Sequence, residues 1–291
     1  SIKDRWEFMS LMNTYTLANG VKIPVLGFGT WQTPAGKTAT DSVLAALDAG
    51  FTHIDTAEMY GNEKSIGQAV KASGIARNDL FITSKLDNQA HTYELATQAL
   101  DRSLSDLETD YLDLFLIHWP NPKVFRDQDW KKHLQETWRA LEDAYKAGKV
   151  RAIGVSNFKP KHLEILAETQ TIQPMVDQIR ICPGDVDRPT IDYCQQHDIL
   201  LEAYSPFGTG QIFNDETLKA LAETKGQSVA QICLRWSLQH GYLPLPKSVH
   251  PARIKENTEV FDFELTESEM QQIDALQGVA GFATDPDTAD F

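Results

Sequence analysis

The stretch Leu112-Asp-Leu-Phe-Leu-Ile-His118, the helix-period segment over 131–147 that follows it, and then Ala152-Ile-Gly-Val155 decide the fold. They read as a strand, a helix stopped at Gly148 and a second strand, which is one β-α-β unit. Working outward in both directions, the same alternation repeats. Strand-like runs are Val25–Phe28, Thr52–Asp55, Leu80–Ser84, Leu112–His118, Ala152–Val155, Met175–Gln178, Leu200–Ala203 and Leu243–Pro246. Helical patterns lie near 37–49, 63–73, 91–106, 131–147, 160–169, 188–197 and 214–240, with another after 251. Eight such units in roughly 250 residues match an α/β class (β/α)8 TIM barrel better than an open doubly wound sheet. Ahead of them, Thr14–Pro24 reads as a β-hairpin around Asn19-Gly20. Residues 1–11, opening with the charged Ser1–Phe8, are expected to be an extraneous or disordered leader, and 12–291 a single barrel domain.

Composition narrows the function classes. The chain has 291 residues, 42% hydrophobic and 23% charged, enough apolar material for a substantial core. Its apolar runs fall far short of the roughly 20 residues of a membrane helix. With 27 Lys plus Arg against 41 Asp plus Glu, the net charge is −14, which disfavours nucleic acid as a partner. A phosphate-bearing ligand therefore needs a local basic cluster. Cys182, Cys194 and Cys233 form no C-x-x-C pair, which argues against a disulfide framework or zinc knuckle and suits a reducing cytoplasm.

In a (β/α)8 barrel the chemistry sits where strands end and loops begin. The strand ends carry His53, Asp55 and then Tyr60; Ser84 and Lys85; His118 and Trp119; Ser156 and Asn157; Asp177 and Gln178; Tyr204 and Ser205; Lys247 and Ser248. Any one of these is ordinarily a rim ion pair or a satisfied buried polar group; seven strands converging on one rim make that reading improbable. Asp55, Tyr60, Lys85 and His118 form a specific set. A phenol has a reference pKa of about 10. A neighbouring lysine ammonium is expected to lower it, an aspartate to hold the lysine charged, and a histidine to orient a substrate oxygen. Such a set protonates an oxygen that is gaining negative charge, and it offers no nucleophile-base pair.

These residues carry a resemblance. Gly50-Phe-Thr-His-Ile-Asp-Thr-Ala-Glu-Met-Tyr-Gly-Asn-Glu63, Gly148-Lys-Val-Arg-Ala-Ile-Gly-Val-Ser-Asn-Phe158 and Leu245-Pro-Lys-Ser-Val-His-Pro-Ala-Arg-Ile-Lys-Glu-Asn257 resemble, in order, the three signatures of the aldo-keto reductases. The likeness runs from about Thr14 to Glu269 and is strongest to the prokaryotic branch with 2,5-diketo-gluconate reductases and glyoxal or methylglyoxal reductases. It implies a monomeric barrel that reduces aldehydes and ketones with NADPH and no metal, with Asp55, Tyr60, Lys85 and His118 as its catalytic tetrad. It further implies that Ser156, Asn157 and Gln178 bind the nicotinamide carboxamide and that Tyr204 stacks on the ring. Gly29, Thr30, Trp31 and Asp55 would border that end, and Ser205, Pro206, Phe207 and Gly208 would follow the pyrophosphate. Lys247, Ser248 and Arg253 would grip the adenosine 2′-phosphate, and Glu256 and Asn257 would meet the adenine. Lys247 and Arg253 are also the basic cluster that an acidic chain requires for an anionic ligand.

Substrate-lining residues are expected to be Trp31, Met59, Tyr60, Asp87, His118 and Trp119. For Asp87 the competing reading is that it points to solvent and caps the helix that follows, and Lys123 and Arg126 would offset its charge on the wall if they fold over the site. Three departures from the family pattern stand out: Asp87 where relatives commonly carry Trp, the run Asp177–Pro183, and a tail after Gly278 lacking the usual Arg-x-Gly; the first and third are expected to touch the substrate pocket. Small neutral aldehydes and α-dicarbonyls, and possible keto-sugars, follow as the expected substrates. Two other classes compete: a non-catalytic NADPH-binding redox-sensing or regulatory barrel, which an intact tetrad disfavours, and a metal-dependent barrel hydrolase suggested by His53-x-Asp55. The latter lacks a second ligand cluster, and Lys85 is a poor neighbour for a metal.

Overall fold

The computed structural model describes residues 10–291. A hairpin of β1 (Thr14–Thr16) and β2 (Lys22–Pro24) opens the chain, antiparallel with Tyr15 opposite Ile23. Its turn closes through Gly20 N–H to the Leu17 carbonyl at 2.8 Å, with Gly20 at φ 89°, a backbone geometry that favours glycine. The Tyr15 hydroxyl donates to the Tyr242 carbonyl at 3.2 Å and Asn19 to the Arg151 carbonyl at 3.0 Å. Both acceptors precede barrel strands, so the hairpin covers the end of the barrel opposite the strand C-termini. Ser10 and Leu11, expected to lie outside the domain, belong to it: Leu11 packs against the core. The remainder of the expected leader, residues 1–9, lies outside the described residues.

Eight parallel strands follow in chain order: β3 (Phe28–Gly29), β4 (His53–Asp55), β5 (Phe81–Leu86), β6 (Leu114–Ile117), β7 (Ile153–Ser156), β8 (Val176–Arg180), β9 (Leu200–Tyr204) and β10 (Leu243–Leu245). The first and last meet through Gly27 N–H to Pro244 O at 3.2 Å and Gly29 N–H to Pro246 O at 2.9 Å, which closes the barrel. Only glycine permits this approach at position 27, where a Cβ would lie 2.5 Å from Leu245 and 2.8 Å from the His53 ring. The strands are buried on both faces, as parallel strands under helices must be; all six residues of β5 are buried.

The helices are α1 (Lys37–Asp48), α2 (Glu63–Ser73), α3 (Tyr93–Asp106), α4 (Trp130–Lys146), α5 (Pro160–Ala167), α6 (Arg188–Gln196), α7 (Glu216–Lys225), α8 (Val229–Gln239), α9 (Pro251–Glu256) and α10 (Glu267–Asp274). Their starts follow side-chain chemistry: Thr92 accepts from Leu95 N–H, Asp187 from Thr190 N–H, and Asp215 from Leu218 N–H. The segment 214–240, expected as one helix, is two. Gly226, at φ 64°, ends α7, and Ser228 with Gln231 forms a capping box that starts α8. The first barrel strand is also shorter than expected, because Val25 and Leu26 are buried without joining the barrel ladder.

Candidate active site

Asp55 ends β4 and Lys85 lies near the end of β5, so both side chains reach the C-terminal mouth of the barrel from adjacent strands. Tyr60 closes a single 3-10 turn, Glu58–Tyr60, immediately after β4. That turn is held from both sides: Arg102 of α3 donates twice to Glu58 (3.1 and 3.0 Å), and buried Asn62 donates to the Thr30 and Thr33 carbonyls while accepting from Thr56. Asn62 lies inside the first signature but escaped the sequence reading, since a single asparagine carries no spacing signal.

The Lys85 ammonium spends its three protons on Asp55 Oδ1 at 2.6 Å, the Thr56 carbonyl at 3.0 Å and Tyr60 Oη at 3.1 Å. An ammonium only donates, so the Tyr60 oxygen accepts from it, and the phenolic proton is left to point elsewhere. The His118 ring stands edge-on to Tyr60 at 5.7 Å between centroids, and its Nδ1 is buried with no protein partner.

Burial and charge settle the protonation states. Burial lowers the Lys85 pKa, but Asp55 and Tyr60 together outweigh it, and the group stays charged with its pKa raised. Burial and then the Lys85 charge push His118 well below the usual imidazole range, so it is neutral. Tyr60 corrects an expectation. Lys85 does favour the phenolate, but burial acts in the opposite sense and is larger, and Asp55 offsets part of the lysine. The net shift is upward, and Tyr60 is a firmly protonated phenol.

Above this group opens a cavity of about 750 Å³. Trp31, Met59, Tyr60, His118 and Trp119 line it at one end, and Gly29, Thr30, Asp55, Ser156, Asn157, Gln178 and Tyr204 border its floor. Ser205, Pro206 and Phe207 continue the wall, and Lys247 and Arg253 line it as well. The expected residues Gly208, Ser248, Glu256 and Asn257 are not among those lining this cavity. Gly208 is covered by the tail, with Ala280 so close that a Cβ would sit 2.4 Å from it. The Ser248 hydroxyl is engaged by His250 N–H at 3.1 Å. Asn157 is held at φ 61° with its amide donating to the His118 carbonyl at 3.0 Å, and its oxygen accepts from the Tyr204 hydroxyl. Among the described residues no three His, Cys, Asp or Glu side chains converge as a metal site.

Asp87 does not line the cavity. Its carboxylate accepts from Gln89 N–H at 3.1 Å and caps the short turn Asn88–Ala90. Lys123 and Arg126 do not fold over the site as free cations either. Lys123 pairs with Asp290, and Arg126 donates to the Asn121 and Ala289 carbonyls at 3.1 and 3.0 Å. The tail they support does reach the expected substrate pocket: Ala280, Gly281, Phe282, Thr284 and Phe291, with Arg180 and Gln211, also line the cavity. The tail's course along the cavity is not fixed by its composition, because it depends on contacts with distant loops.

The fold and the site together define a (β/α)8 oxidoreductase in which a phenol, held by a buried lysine-aspartate pair, faces a long cleft. The sequence profile of the Aldo/keto reductase family matches residues 25–277, and the chain belongs to that family. It is similar to the glyoxal reductase of Bacillus subtilis (strain 168), 46% identical over 278 residues that cover 96% of this chain and 98% of that protein. It is also similar to the 9,11-endoperoxide prostaglandin H2 reductase of Trypanosoma cruzi (strain CL Brener), 42% identical over 94% of this chain and 95% of that one. Among solved structures, an aldo/keto reductase from Brucella melitensis superposes with a TM-score of 0.86 at 43% identity, covering 92% of this chain and 98% of that chain. A Bombyx mori aldo-keto reductase in complex with NADP gives a TM-score of 0.84 at 35% identity, covering 93% and 94%. No described helix is long and apolar enough to cross a membrane.

Proposed function

We propose that the protein reduces aldehydes and α-dicarbonyls to alcohols with NADPH, and that Tyr60 is the proton donor. The observation that carries this reading is the Lys85 ammonium at 3.1 Å from Tyr60 Oη, which occupies an oxygen lone pair and leaves the phenolic proton free for a substrate oxygen. NADPH, when bound, supplies the hydride that reaches the carbonyl carbon. The negative charge then growing on the substrate oxygen is met by Tyr60 and by neutral His118, while buried Lys85 stabilises the phenolate left behind. Asp55 keeps Lys85 charged and aimed.

The cavity volume falls within the range of cofactor sites, roughly 300–1,000 Å³. Gln178 offers its amide carbonyl to the nicotinamide end, because its N–H groups are already spent on Asp55 and Glu202. Lys247 and Arg253 suit a 2′-phosphate, and Tyr204 suits the face of the nicotinamide ring. Trp31, Met59, Trp119 and Phe291 form an apolar, aromatic surround for a small neutral carbonyl, in keeping with the relative named glyoxal reductase.

The test is NADPH consumption against glyoxal, methylglyoxal, simple aldehydes and matched α-keto acids, with and without EDTA. The expected result is turnover of the neutral substrates, insensitive to the chelator. NADPH binding with no turnover of any carbonyl would favour a regulatory barrel, and loss of activity in EDTA with recovery on added zinc would favour a metal-dependent enzyme.

A further inference from the structure

Beneath the four mouth residues, two buried polar atoms face one another without a hydrogen bond. His53 Nε2 and Glu202 Oε2 are 3.6 Å apart, both side chains have no solvent exposure, and neither atom has another partner. The rest of each group is engaged. His53 Nδ1 lies 3.3 Å from the Pro24 carbonyl, which accepts and so requires a proton on Nδ1. The neutral ring therefore turns a lone pair toward Glu202. Glu202 Oε1 accepts from Gln178 Nε2 at 3.2 Å, and the other proton of that same amide goes to Asp55 Oδ2 at 2.8 Å. A carboxylate facing an imidazole lone pair is repulsive, and two buried orphans are costly. One proton placed between them satisfies both.

We propose that Glu202 and His53 share a single proton under the reducing site, and that Glu202, acting through Gln178 and Asp55, is a positioning residue for the reaction. The inference rests on the reading of the site as an NADPH-dependent carbonyl reductase. With both amide protons of Gln178 drawn down to Glu202 and Asp55, its carbonyl is fixed outward toward the mouth. With the shared proton in place, Asp55 is the single negative charge beneath Lys85. Removal of that proton sets a second one beside it, opposing negative charge on Tyr60 and on the substrate oxygen.

The groups facing Glu202 are His53 and Asp55 from β4, Lys85 from β5 and Gln178 from β8; its register partner on β10 is Leu243, which does not titrate. Asp113, bound by Arg77 and Arg151, also acts on His53. Burial, then Asp55, raises the Glu202 carboxyl to about 8, and burial lowers His53 to about 4, which puts the shared proton on the glutamate side at neutral pH.

Glu202→Gln preserves the hydrogen bonds and cannot ionise. The unfolded glutamate titrates near 4.3. Between there and about 8 the native state alone keeps the proton, so this group's contribution to stability falls as pH rises through that window. Comparing melting temperatures of the cofactor-free proteins from pH 6.5 to 8.5, Glu202→Gln should gain on the wild type by roughly 3–5 °C and then level off. In the reductase assay, the wild-type kcat should decline on the order of tenfold across the same range, and the variant's decline should move to higher pH. Glu202→Leu should bind NADPH about five- to tenfold more weakly by fluorescence titration, because Gln178 loses an acceptor.

A melting-temperature difference that stays flat with pH, or an unchanged alkaline limb, overturns the shared proton. Unchanged NADPH affinity in Glu202→Leu overturns the positioning role. The melting comparison needs no cofactor or substrate, so it decides the proton pair even if the wild type reduces no carbonyl, an outcome that would overturn the proposed function instead.

Discussion

On one side of the cavity Asp55, Lys85, Ser156, Gln178 and Tyr204 stand on neighbouring strands whose backbone registers fix them relative to one another. On the other side Ala280, Phe282, Thr284 and Phe291 come from a tail that pairs with no strand. The strand-borne wall is buried and cross-braced by side chains: Lys85 to Asp55, Gln178 to Asp55, and Ser156 to the main-chain carbonyl of Gln178 at 2.8 Å. The tail is held at intervals. Arg180 donates to the Ala280 carbonyl, Asp287 gathers Lys161, His162 and Asn121, and the Phe291 ring packs edge-on against Trp119 at 4.8 Å. Between these tethers Phe282 is 89% exposed. A reacting geometry has to hold to a fraction of an ångström, which a strand ladder supplies. A wall that must yield to different substrates is better built from a tethered segment.

The comparison predicts a graded series of effects. Tyr60→Phe, on the strand-borne side, should cut kcat by about 10²–10⁴-fold with NADPH affinity nearly unchanged. Retention of most of the turnover in a steady-state assay would remove Tyr60 as the proton donor. Replacing Lys247 and Arg253 together by alanine should cost NADPH, relative to NADH, on the order of tens-fold in KM. Equal losses for the two cofactors would show that these cations do not read the 2′-phosphate.

On the tail side, Asp287→Ala should raise the substrate KM a fewfold and leave kcat within about twofold, since it frees the tail without touching the strand ends. A fall in kcat as large as that of Tyr60→Phe would erase the distinction between the walls. This tether should also have a defined pH response. Burial favours the protonated carboxyl of Asp287, but hydrogen bonds from Lys161, His162 and Asn121 outweigh it and hold the pKa below the usual carboxylate range. A group depressed in the docked state stabilises docking fully above its undocked pKa of about 4 and loses that contribution as pH falls through its docked value. Hydrogen-exchange protection factors of residues 285–290, corrected for the intrinsic pH dependence of exchange, should therefore be equal at pH 7 and 5 and lower near pH 2–3. Protection already lost at pH 5 would contradict it.

The smallest expected effect is at Asp87. As a turn cap outside the cavity, it should tolerate Asn with the ratio of kcat/KM for methylglyoxal to that for a matched keto acid unchanged within about twofold. A larger change would return Asp87 to the substrate wall.

The strand-helix alternation and the four mouth residues were legible in the sequence because both are local. Strand periods, Gly stops such as Gly148, and the short reach from Asp55 to Tyr60 are set within a few residues along the chain. The helix break at Gly226 was legible too, in Gly226 and the Ser228–Gln231 box, but the periodicity on both sides masked it. Tertiary structure decided the rest. The upward shift of Tyr60 depends on the depth of burial, which no spacing encodes. The removal of Asp87 from the wall depends on which way its side chain caps. The tail's course depends on Arg180, Lys123, Arg126, Lys161 and His162, all far from it in sequence. The pairing of Glu202 with His53, and of Gln178 with an aspartate 123 residues away, exists only because barrel closure turns alternate residues of distant strands into one small interior. Sequence specifies which side chains face inward; closure of the barrel specifies which of them touch, and with that their charge.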